Sequence, residues 1–132
     1  MTAVRIGMCA VVILTRVGAA TFTVNSTADL PDASTGDGAC ATGNLTPGGD
    51  AECTLRAAIQ ESNALPGFPP EQVKLPAGTY LLTAGTLEIT SSLSIKGSGS
   101  DSTIVDGNGG RKSQHTYFSN FQSWNEPHRK YF

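Results

Sequence analysis

Histidine is almost missing from this chain of 132 residues: His115 and His128 are the only two, and both lie in the last 22 positions. The rest of the chain therefore holds no Ser/His/Asp or Cys/His set, and no cysteine and histidine cluster of the kind that binds zinc. Basic residues are nearly as scarce. Between residues 21 and 110, Arg56, Lys74 and Lys96 face ten acids, a balance of −7. A body of that sign repels the phosphates of nucleic acid and of anionic lipid, so neither is an expected partner. No apolar run approaches the roughly 20 residues needed to cross a bilayer as a helix, so no membrane span is expected. Phosphate-binding glycine loops are absent as well.

What the N-terminus does have is Arg5, then the apolar run Ile6 to Leu14, then the small residues Gly18, Ala19 and Ala20. This order is that of a secretory signal peptide over residues 1–20, cut after Ala19 or Ala20. Cys9 leaves with it. Cys40 and Cys53 then remain as an even pair in an exported, oxidising setting, where a disulfide is the expected state.

After the cut, Thr21-Phe22-Thr23-Val24 alternates β-branched and aromatic residues and reads as a strand. Residues 25–52 are rich in Asp, Gly, Ser, Thr and Pro, a long loop that the disulfide would pin. Asp29, Asp32, Asp37 and Asp50 offer the hard oxygens that calcium prefers, although their spacing matches no calcium loop. A structural calcium and a merely solvated acidic loop both remain open. One helix follows, from Thr54 to Ala64. Thr54 is its N-cap, Leu55, Ala58, Ile59 and Ser62 form a narrow apolar stripe, and Arg56, Gln60 and Asn63 are assigned to the wet side. Asn63 is expected to end it in a left-handed turn, with Pro66 barring continuation.

Beyond Pro66 come short β-rich segments: Val73–Leu75, Thr79–Leu82, Thr86–Thr90, Leu93–Lys96 and Thr103–Asp106, each bounded by turn residues. Leu87/Ile89 and Leu93/Ile95 share one face, with Glu88 and Ser94 on the other. An antiparallel sandwich and a solenoid both accommodate such strands. A repeat of Val73-Lys74-Leu75 at Leu93-Ser94-Ile95, twenty residues on, and a looser echo of Gly78-Thr79-Tyr80 in Ser102-Thr103-Ile104, favour the solenoid.

The run Cys53-Thr54-Leu55-Arg56-Ala57-Ala58-Ile59 resembles the Cys-Ser-Leu-Arg-Glu-Ala signature of the CSLREA domain. That family stands at the start of bacterial surface proteins with right-handed parallel β-helix repeats. The segments Thr21 to Asp29, Gly36 to Cys40, Leu75 to Tyr80, Leu93 to Gly97 and Thr103 to Gly107 are similar to it in order and spacing, so the likeness covers about residues 21–110. It implies a mainly β chain: a strand, disulfide loop and cap helix over residues 21–66, then the first coils of a right-handed parallel β-helix over 67–110. Leu55, Ala58 and Ile59 would lie against the coils. The implied partners are further coils and an extracellular carbohydrate or cell-surface ligand, at a secreted or cell-surface location.

Two features depart from the family. Ala57 stands where it has Glu, leaving half of the Ser-x-x-Glu capping box and a helix start weaker by about 0.5–1 kcal/mol. Residues 111–132 hold no Val, Ile, Leu or Gly but six of the nine aromatics, a composition that a shifted reading frame explains and that is expected to be irregular. The functional expectation is a capping and initiating segment, structural or adhesive, with no catalysis of its own. The alternative is the N-terminal fragment of a pectate-lyase-like enzyme, for which Asp101 and Asp106 are the nearest carboxylate pair; both also suit turns beside Gly99 and Gly107.

Overall fold

A computed structural model describes residues 18–65 and 69–108, and the backbone of 115–117, 121–123 and 130–131. Almost all of the expected signal segment, and Pro66, lie outside the described residues. The chain is mainly strand, with one short helix: β1 (Thr21–Thr23), α1 (Leu55–Ala64), β2 (Glu71–Leu75), β3 (Gly78–Leu81), β4 (Glu88–Ile89), β5 (Leu93–Gly97) and β6 (Thr103–Asp106), then β7 (His115–Tyr117), β8 (Phe121–Ser123) and β9 (Lys130–Tyr131).

The main strands pair in parallel, as the solenoid reading expected, and not as hairpins. β1, β2 and β5 lie side by side with Phe22 opposite Val73 and Val73 opposite Ile95, while β3 pairs with β6 so that Tyr80 meets Val105. Parallel neighbours need a crossover between them, which the turns and the intervening strands supply. Because side chains alternate faces along a strand, this register sends Phe22, Val73, Ile95, Tyr80 and Val105 to one shared core with Val24, Leu75, Leu82, Leu87, Ile89 and Leu93. Glu88 and Ser94 alternate out of it as expected. The offsets differ from those expected: β2 to β5 is 22 residues where the repeat of Val73-Lys74-Leu75 indicated twenty, and β3 to β6 is 25, with Gly78 opposite Thr103 and not Ser102. Apolar alternation has a period of two, so between β2 and β5 it fits shifts of 20 and 22 equally, and only turn lengths decide between them.

Two turns are joined as well. Thr103 Oγ1 accepts from the Ser98 amide (3.0 Å) and donates to Pro76 O (3.4 Å), joining the turn after β5 to the turn after β2.

Where the tail is described, at residues 115–117, 121–123 and 130–131, it forms strands instead of the expected irregular structure. β7 runs antiparallel to β6 and β8 to β5, so both parallel sheets end in one antiparallel strand, while β9 pairs antiparallel with β4 in a separate two-stranded sheet. An open strand edge presents unpaired N–H and C=O groups that any backbone can satisfy, whatever its side chains. Lack of aliphatic residues limits core extension but not edge pairing.

Candidate functional site

The densest polar chemistry lies where residues 25–65 meet the turn and strand at 83–90. Helix α1 begins as expected: Thr54 Oγ1 accepts from the Ala57 amide (3.1 Å) and donates to Leu30 O (2.6 Å). Leu55, Ala58 and Ile59 are buried, and α1 packs against β2 and β4. Ala57 is fully buried too, so the position that carries Glu in the resembling family is here enclosed.

Arg56 is not on a wet side. Its side chain is only 9% exposed and forms a fork with Asp29, itself 3% exposed, at 2.7 Å (Nε to Oδ1) and 3.1 Å (Nη2 to Oδ2). Arg56 also donates to Gly85 O (2.6 Å) and Thr86 O (3.4 Å), while Asp29 Oδ2 accepts from the amides of Thr83 (2.6 Å) and Ala84 (2.7 Å). Burial pushes the Asp29 carboxyl up, but the Arg56 guanidinium and the two amides outweigh it and hold it below its ordinary value. Helical periodicity identified the face that touches the strands; it could not show that the loop 25–53 covers the opposite face as well.

Asn63 is likewise reassigned. The helix continues to Ala64, and Leu65 caps it with φ −112° and its amide on Glu61 O (3.1 Å), with no left-handed residue. The Asn63 amide group instead reads a strand edge: Nδ2 donates to Glu88 O (2.8 Å) and Oδ1 accepts from the Thr90 amide (2.9 Å). One primary amide thus supplies the donor and acceptor that a neighbouring strand would give.

Two further carboxylates, missed in the sequence, organise the loop. Glu61 is fully buried; it accepts from the Gly36 amide (2.6 Å) and from the Gly38 amide. Gly36 and Gly38 have φ of 94° and 88°, so only glycine turns the backbone to aim both amides inward without strain. The Gly36-Asp37-Gly38 turn was the available signal. Glu52 accepts from Ser26 (2.7 Å), Thr42 (2.8 Å) and Asn44 (3.3 Å), and the Ser26 and Thr42 hydroxyls hold it below its ordinary pKa. The expected disulfide is present, Cys40 to Cys53, with Cα atoms 5.2 Å apart.

The calcium reading does not fit this geometry. Asp29 serves Arg56, Asp32 accepts from the Ser34 and Ala41 amides, and Asp37 accepts from Ala39. Asp50 joins neither; among the described residues no three His, Cys, Asp or Glu come together as a metal site. Short Asx turns and one ion pair engage oxygens of Asp32, Asp37 and Asp29, and the four aspartates do not converge on one point. Asp106, half of the carboxylate pair considered for catalysis, accepts from the Asn108 amide (3.0 Å) in such a turn. No helix among the described residues is long and apolar enough to cross a membrane. No family model, curated protein or solved structure matches the chain.

Proposed function

We propose that this chain is the N-terminal capping and initiating segment of an exported cell-surface protein, of the CSLREA type, built on a right-handed parallel β-helix. Its role is structural or adhesive, with no catalysis of its own. One observation carries the reading: the backbone edge at residues 83–90 is occupied by side chains instead of another coil. Asp29 takes the amides of Thr83 and Ala84, Arg56 takes the carbonyls of Gly85 and Thr86, and Asn63 takes Glu88 O and the Thr90 amide. On another face β1 supplies the parallel partner for β2.

A stack of repeats needs ends that stop further stacking, because each repeat otherwise offers its neighbour an apolar face and an open edge. Residues 21–65 supply both stops at one end. The parallel offsets of 22 and 25 residues, and the joined turns, are what successive coils of a solenoid require. Further coils added in parallel would take the places of β7, β8 and β9.

Deleting residues 21–65 tests the reading by sedimentation and thermal melting. The shortened chain should self-associate in proportion to concentration or lose its cooperative transition. A monomer that still melts cooperatively would contradict a capping role.

A further inference from the structure

Apart from Arg56, which is committed to Asp29, the acidic body has two cations, and both occupy one spot. Lys74 on β2 sits in register with Lys96 on β5, and Thr23 on β1 continues the same row. All three are exposed on the outward face of the parallel sheet. With Ser98, Gly97, Pro76 and Leu75 they line an open groove of ≈ 540 Å³.

The pairing is costly as it stands. Like charges opposite each other on adjacent strands destabilise a sheet, and neighbouring strands are only about 4.8 Å apart. Lysines often guard a free edge against association. That explanation fails here, because β2 lies between β1 and β5, and β5 lies between β2 and β8. Among the described residues neither the Lys74 nor the Lys96 side chain has a hydrogen bond or ion pair to offset the repulsion.

Beside this row runs a second, Thr21, Gln72 and Ser94, also in register across the three strands. The outward face therefore presents hydroxyl and amide groups with two cations aligned across adjacent strands. We propose that this face binds an acidic polysaccharide, with Lys74 and Lys96 pairing with carboxylates on the polymer and Thr21, Thr23, Gln72, Ser94 and Ser98 hydrogen-bonding its hydroxyls. A polymer of spaced carboxylates among many hydroxyls matches both rows. Nucleic acid matches poorly, since neither row offers an aromatic ring for bases to stack on. The inference rests on strand register and does not depend on the capping role.

The test is binding of alginate in calcium-free buffer, measured by calorimetry at low and high salt. Its uncharged propylene glycol ester and a single-stranded oligonucleotide serve as competitors for the explanation. The mature chain should bind alginate, more weakly as salt rises, and should bind the ester at least tenfold less. Lys74→Gln with Lys96→Gln should lose tenfold or more in affinity, while Lys74→Arg with Lys96→Arg retains it. Both pairs alter exposed positions, and an unchanged melting temperature verifies the fold. No binding by the unaltered chain, equal binding by the glutamine pair, equal binding of the ester, or tighter binding of the oligonucleotide would each overturn the proposal.

Discussion

Arg56→Ala is expected to lower stability by about 3–5 kcal/mol, because it leaves Asp29 charged, enclosed and without its counter-ion. The variant also strips the carbonyls of Gly85 and Thr86 of their donor. For a domain of this size, such a loss moves the thermal midpoint by ~15 °C or more. The pH profile gives an independent reading. Asp29 has a folded pKa below its ordinary value of 3.8, so its contribution is complete above that pH and disappears as pH falls through the lower folded value. Glu52, also lowered, adds to the same acid limb. In Arg56→Ala the burial of Asp29 is no longer outweighed by the guanidinium, so the acid limb should shift to higher pH. A midpoint change under ~4 °C with an unmoved acid limb would show that the fork contributes little.

Loss of the disulfide is the second large effect. Cys40 and Cys53 are 13 residues apart and enclose the segment whose Thr42, Asn44 and Glu52 side chains bond one another. Closing a loop of that size is worth about 3 kcal/mol in the chain-entropy model. Reduction, or Cys40→Ser with Cys53→Ser, should lower the unfolding free energy by about that amount in denaturant titration. Residues 25–53 should loosen first, since the Cys53 carbonyl accepts from the amides of Asn25 and Ser26 and so links the loop to the segment after β1. Unchanged stability after complete reduction would mean that the loop is held by its hydrogen bonds alone.

The strands, the helix and the disulfide were legible in the sequence because each depends on neighbours in the chain. Alternation marked Leu87, Ile89, Leu93 and Ile95 as inward, and all four are buried. What was illegible depends on distant partners. Arg56 meets Asp29 across 27 residues, and Asp29 meets Thr83 across 54. A helix whose apolar stripe touches one layer gives no sign that a polar loop encloses its other side, as the burial of Glu61 requires. Asn63 was misjudged because its left-handed propensity is local, whereas its fit to the backbone at residues 88 and 90 exists only after folding. The four aspartates of the loop suggested a cation for the same reason: counting oxygens does not show which amides have already claimed them. In the tail, composition excluded aliphatic core residues yet said nothing about backbone pairing at an open edge.

Amide hydrogen exchange at Thr83, Ala84 and Thr90 tests the capping account most directly. These residues are exposed, and the acceptors of their amides are the side chains of Asp29 and Asn63. The account predicts protection approaching that of the β2 and β5 amides, with Asn63→Ala releasing Thr90 while Thr83 and Ala84 stay slow. Exchange of all three at the rate of an unstructured peptide would contradict it, for the edge at 83–90 would then be open and residues 21–65 would not be its cap.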